Sequence, residues 1–223
     1  VFLTASVEKE RETMRTKETQ VFKYEELDEF GKERARDWYR GSGDGLDHDW
    51  WECSYEWINT AAELIGIDIN SRPAKNMKGE PIKGQLRIFF SGFSSQGDGA
   101  CFEGRYEYRK GSSKAVRKEF PMDTGLHRIA DDLARLQKAH FYRLTARVEH
   151  RGHYSHPGCT VIDTDGFNED ASDEDLRDYL RDFMHWMYQH LEKEYEYLTS
   201  DESVGESMIA NDYEFDSQGR REW

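Results

Sequence analysis

Four side chains at three-residue intervals, His150, His153, His156 and Cys159, are of the types that hold a soft divalent cation such as zinc. A turn over residues 151–158 could gather them, but structural zinc sites pair two ligand clusters across a longer loop, and one cluster alone is evident here. An ordinary polar turn is the simpler reading against a metal at His150, His153 and His156, and no cofactor is assigned. A second group, Ser94, Ser95, Gln96 and Asp98, offers hydroxyls, an amide and a carboxylate beside glycines that let a ligand approach the backbone. It lacks the Gly-Lys-Ser/Thr ending of a phosphate loop and the Gly-x-Ser-x-Gly form of a nucleophile elbow. Asp98 has no identified acid–base partner, and an aspartate between glycines is also an ordinary turn residue, so no catalytic residue is assigned. The third group is acidic: Asp173, Glu174, Asp175, Asp178 and Asp182, then Glu192, Glu194 and Glu196. Carboxylates at a helix start are stabilised by its dipole, which is a sufficient structural reason for the first cluster. Strung along an elongated surface, the same groups imitate nucleic-acid phosphates. The run lacks the glycine-centred spacing of a calcium loop.

These groups need elements to position them. Residues 86–90 and 100–108 read as strands joined by the Ser/Gln/Gly loop, a hairpin with one apolar face. Before it, residues 19–24 read as a short strand, Asp28 caps a helix running to about Arg40, and a second helix runs from about Asp47 to Ile65 and stops at Gly66. Trp50, Trp51 and Trp57 on that helix serve core packing, with a partner-binding hot spot as the other reading. Residues 67–70 read as a strand and residues 110–118 as a basic connection. Leu126, Ile129, Ala130, Leu133 and Leu136 repeat at helical spacing over residues 123–139. Alternation from Phe141 to His150 predicts a strand, with residues 159–164 returning antiparallel to it. Ser172 with Asp175 resembles a capping box, and Leu176, Leu180, Phe183, Met187, Leu191, Tyr195 and Leu198 form the apolar stripe of a long helix. A short helix over residues 201–210 and a last strand over residues 213–215 follow. Strands and helices do not alternate as repeated βαβ units, so the expected fold is α+β, a mainly antiparallel sheet covered by amphipathic helices.

With 223 residues and no Pro/Ser-rich linker, residues 14–223 are expected to form one domain, and residues 1–13 a flexible extension outside the fold. Mean hydropathy is -0.95 with 34% charged residues, but 13% aromatic residues can supply a core. No apolar run approaches the ~18 residues of a membrane span, and three scattered cysteines fit thiols in a reducing compartment, so the cytoplasm is expected. The net charge of -14 is uneven: residues 161–223 hold 19 acidic and 5 basic side chains, while residues 1–160 hold 26 of each. The acidic third disfavours nucleic acid and favours a basic partner protein, with a merely solubilising surface as the plainer reading.

Residues 89–104, Phe-Phe-Ser-Gly-Phe-Ser-Ser-Gln-Gly-Asp-Gly-Ala-Cys-Phe-Glu-Gly, followed by Phe141-Tyr-Arg-Leu and His153-Tyr-Ser-His156, resemble a family of bacteriophage and prophage proteins labelled "antitoxin of toxin-antitoxin stability system". The similarity runs from about Met14 to the C-terminal strand, and Ser-Gln-Gly-Asp-Gly is its most specific part. It implies a phage origin and a small cytoplasmic accessory protein in an infected bacterial cell, and it carries no catalytic residues. Together with the charge asymmetry, it leads to the expectation of a non-enzymatic inhibitor, of antitoxin or anti-host-defence type, binding a basic nuclease, toxin or defence effector through Asp173, Glu174, Asp175, Asp178, Asp182, Glu192, Glu194 and Glu196. The alternative is an enzyme or small-ligand binder centred on Ser94, Ser95, Gln96 and Asp98.

Overall fold

Alternating buried and exposed residues give the sheet one covered and one open face, and the helices supply the cover. A computed structural model describes residues 20–42, 50–75, 77–82, 84–165 and 171–222. The helices are α1 (Glu29–Gly41), α2 (Glu52–Ile65), α3 (Ser112–Glu119), α4 (Thr124–Ala139), α5 (Ala171–Leu198) and α6 (Asp201–Ala210). The strands are β1 (Phe22–Lys23), β2 (Ile67–Ile69), β3 (Ala74–Lys75), β4 (Pro81–Ile82), β5 (Ile88–Phe90), β6 (Ala100–Phe102), β7 (Gly104–Glu107), β8 (Thr145–His150), β9 (Thr160–Thr164) and β10 (Glu214–Phe215). All pairings are antiparallel, and the fold class is α+β as the sequence predicts. The predicted extension over residues 1–13, the helix start at Asp47 and the Ser172 cap lie outside what is described.

Contacts divide the described residues into two compact units, one within residues 50–198 and a smaller one joining residues 20–42 with residues 199–222. In the smaller unit β1 pairs with β10, and Tyr24, Leu27, Ala35, Tyr39, Val204, Met208 and Phe215 form the core. Asp28 caps α1 by accepting from the Gly31 N–H at 2.7 Å. Arg36 donates to the Tyr24 hydroxyl at 2.9 Å, and both Arg36 and Arg40 pair with Asp201.

In the larger unit, strands β2-β7-β8-β9 form a four-stranded sheet. Ile67, Ile69, Tyr106, Ala146, Val148 and Ile162 are buried on its covered face, in one core with α2, α4 and α5. One row of the open face reads Asp68, Arg105, Arg147, Asp163 across the four strands. The predicted hairpin forms between β5 and β6, where the structure aligns Phe90 with Ala100, Phe89 with Cys101 and Ile88 with Phe102, but its second arm is broken at Glu103. Beyond the break β7 joins the four-stranded sheet, while Glu103 forks with Arg87 at 2.6 and 2.8 Å. That guanidinium holds the Glu103 carboxyl below its ordinary value.

Three further differences have physical reasons. Residues 110–118 are a helix for most of their length, started at Gly111 and burying Ser112 and Val116. The strand predicted from Phe141 begins at Thr145, because Phe141 and Tyr142 have left-handed backbones with φ of 55° and 60°. On α2 the core stripe is Ser54, Ile58, Ala61, Ala62 and Ile65, which leaves Trp57 half exposed, edge-on to Phe120 at 5.7 Å.

Cys101 is fully buried because β6 is covered on both sides. Burial, with the nearby Cys159 and Glu103, pushes its thiol up to about 12. At pH 8 its thiolate fraction is therefore about one part in ten thousand. A thiol reagent at that pH is expected to modify exposed Cys53 readily and Cys101 only after denaturant is added. Equal rates for the two in the native protein would contradict this burial.

Candidate functional site

The carboxylates singled out by the sequence lie on α5, whose apolar stripe Leu176, Leu180, Phe183, Met187 and Leu191 is buried against the core. At 100° per residue, Glu174, Asp178, His185, Glu192 and Glu196 fall on the opposite stripe, flanked by Asp175, Asp182, Gln189 and Lys193. Glu174, Asp175, Asp178 and Glu196 are exposed, and Asp182 and Glu192 partly so. From Glu174 to Glu196 the 22-residue separation spans about 33 Å at 1.5 Å per residue, long enough for an extended partner surface. Asp178 pairs with Arg181 at 3.3 Å and Asp182 with Arg128 at 3.7 Å. Among the described residues, Glu174, Asp175, Glu192 and Glu196 make no ion pair within 4.0 Å.

Two of the predicted partner-binding residues do not belong to this ridge. Asp173 is 3% exposed, and its Oδ1 has no hydrogen-bond partner among the described residues. It lies three residues before Leu176 and seven before Leu180, which puts it on the apolar stripe. Glu194, partly buried, lies three residues after Leu191 and seven after Met187, the same stripe at the other end. The spacing that defines the stripe was the signal that separates these two from the outward six.

The Ser94–Asp98 loop forms a turn held by its own aspartate. Asp98 Oδ2 accepts from the Ser94 and Ser95 N–H groups at 2.7 and 2.6 Å, and its own N–H donates to the Ser95 carbonyl. Gly97, with φ of 92°, packs so closely on Tyr154 that a Cβ would stand 2.7 Å from the ring. Ser94, Ser95 and Gln96 are exposed, whereas Asp98 is half-buried. Sequence reasoning missed where this loop stands. Phe93 contacts Tyr188 and Tyr195 of α5 at ring separations of 5.4 and 5.3 Å. Burial, and then the charges of Glu192 and Asp98, push the Tyr188 phenol above its ordinary value. The loop carboxylate therefore stands beside the C-terminal half of the acidic ridge.

The histidine group does not converge. His150 Nε2 is 2.9 Å from the Tyr154 carbonyl, and its ring stacks on Phe89 at 4.1 Å. His156 Nδ1 accepts from the Gly158 N–H at 3.0 Å, and His153 lies edge-on to Tyr154. Among the described residues, no three His, Cys, Asp or Glu side chains are grouped to hold a metal ion. These contacts make residues 150–159 the turn against which the hairpin tip packs. No helix among the described residues is long and apolar enough to cross a membrane.

Residues 50–201 match the model of one family, a domain of unknown function designated DUF8835. No curated protein and no solved structure matches the chain. The family match spans more than half of the sequence, so the chain belongs to the DUF8835 family, and the matched region contains the hairpin, the four-stranded sheet and the whole of α5.

Proposed function

We propose that this DUF8835 protein is a non-enzymatic binding protein that lays the outward face of α5 on a basic surface of another protein, a surface that itself binds nucleic acid. The observation that carries the reading is the stripe of Glu174, Asp175, Asp178, Asp182, Glu192 and Glu196 along about 33 Å of one rigid helix. Carboxylates fixed at intervals on a helix offer a basic groove a charge pattern comparable to a phosphate backbone, and attraction of this kind steers association. In the setting implied by the phage resemblance, the protein acts in the cytoplasm of an infected bacterium as an antitoxin or an antagonist of a defence effector.

The test is capture of binding partners from bacterial lysate by the intact protein and by a variant carrying Glu174→Gln, Asp175→Asn, Glu192→Gln and Glu196→Gln. A basic protein should be recovered by the parent, lost with the variant, weakened at 0.5 M salt where the Debye length is roughly 4 Å, and displaced by duplex DNA. Equal recovery by the variant at both salt concentrations would overturn the reading. Asp173 is left unchanged in this variant because it is buried.

A further inference from the structure

Along the flank of α5 beside the acidic ridge, Phe183, Trp186 and His190 form a ladder of nearly parallel rings. The centroids are 5.3 Å apart at 18° for Phe183 and Trp186, and 5.5 Å apart at 17° for Trp186 and His190. The indole is fixed from two sides. Phe120 packs edge-on to it at 6.4 Å, and its Nε1–H donates to Asp123 Oδ2 at 2.7 Å. The other oxygen of Asp123 accepts from the Leu126 N–H at 2.8 Å as the cap of α4, so both carboxylate oxygens are occupied by N–H donors.

The ladder ends in a cavity of about 470 Å³ lined by Asp123, Gly125, Trp186, Gln189, His190 and Lys193, among others. That volume lies within the range of small-molecule sites, roughly 300–1,000 Å³. Its walls combine the His190 ring, the edge of the Trp186 indole, one amide, one cation and the Asp123 carboxylate, whose two oxygens are already bonded to N–H donors. Burial holds the His190 imidazole below its ordinary value, which keeps this end of the ladder neutral near pH 7. The remaining positive group is Lys193, whose ammonium makes no ion pair among the described residues. A neutral ring surface with a single ammonium three residues further along the helix, and an amide on the same wall, is complementary to a flat ligand that carries its negative charge at one end.

We propose that this cavity binds a small planar aromatic anion, with its ring on the face of His190 turned away from Trp186 and its acidic group at Lys193. An aromatic carboxylate and a nucleoside monophosphate share that chemistry. The proposal stands independently of the partner reading, because it uses no carboxylate of the outward ridge.

Calorimetric titration of the full chain with indole-3-carboxylate, AMP and cyclohexanecarboxylate separates the sources. Binding of indole-3-carboxylate or AMP, at least roughly tenfold tighter than cyclohexanecarboxylate, is expected, and whichever of the two binds identifies the source. Lys193→Gln, an exposed substitution, should weaken that binding roughly tenfold while leaving the melting temperature unchanged, as expected for a loss of charge recognition without a loss of folding. His190→Leu keeps bulk but removes the flat ring and should abolish the preference for planar over non-planar acids. Failure of both planar probes to bind below about 10 mM, equal binding of cyclohexanecarboxylate, or unchanged binding by Lys193→Gln would each overturn the proposal.

Discussion

Gly104→Ala is expected to lower the stability of the larger unit by about 3 kcal/mol or more, among the largest effects of any single methyl group added to this chain. A Cβ at this position would stand 2.3 Å from the Asp68 carbonyl oxygen and 3.1 Å from Ile69 Cα. Both obstacles are backbone atoms of β2, so no rotamer change can relieve them. Gly104 is paired on one side with Ile69 and on the other with Val148. Relief would require moving the edge strand off β7 or displacing the β7–β8 pair that anchors the sheet. The matched control is Gly41→Ala at the end of α1, where nothing lies within 4 Å of the added atom. There the change should fall within about 0.5 kcal/mol, or stabilise slightly through helix propensity. Urea unfolding followed by circular dichroism distinguishes them, since the alanine at 104 should lower the midpoint with little change in slope. A Gly104→Ala protein as stable as the parent would mean that β2 is not held against β7 as described.

The same glycine shows how far the sequence could be read. Residues 89–104 are recognisable as a hairpin because turn-forming residues separate two apolar runs, whereas the register within β5–β6 comes from the structure. The break at Glu103 is not visible in the alternation, because Tyr106 keeps the parity of Phe102 across it. The close approach that makes Gly104 necessary is a tertiary fact. α4 is legible from five apolar residues at helical spacing, whereas α3 has eight residues and two buried positions, too few to display a period. On α5 the charge excess was plain by counting, and the apolar stripe divides its carboxylates into six that face outward and two, Asp173 and Glu194, that do not. Phe183, Trp186 and His190 also share one flank by spacing, at i, i+3 and i+7. Nothing in the sequence could pair that flank with Asp123, 63 residues from Trp186, because the pairing depends on how α4 packs against α5.

Gln137→Leu should cost about 2–4 kcal/mol, although it replaces a polar side chain in the core with an apolar one of similar size. Gln137 is fully buried on α4 and bonds both backbone groups of Leu144: its Nε2 donates to the Leu144 carbonyl at 2.6 Å, and its Oε1 accepts from the Leu144 N–H at 3.3 Å. Its own carbonyl accepts from the Tyr142 N–H at 2.7 Å. The amide thus clamps the segment between α4 and β8, including Phe141 and Tyr142 with their left-handed backbones, which cost of order 1–3 kcal/mol each and persist only where the surroundings enforce them. Leucine would leave a buried N–H and a buried C=O without partners, a penalty that the gain in apolar surface does not offset. Tyr106→Phe is the informative contrast. It removes a hydroxyl 3.3 Å from the same Nε2 but leaves the Leu144 bonds intact, so its cost should stay under about 1 kcal/mol. Hydrogen exchange should then report faster opening of residues 141–144 in Gln137→Leu than in Tyr106→Phe. Similar stability losses in the two variants would place the clamp's contribution in the tyrosine rather than in the Leu144 backbone. The placement of β8 in the sheet depends on that distinction, because β8 carries the central pairings to both β7 and β9.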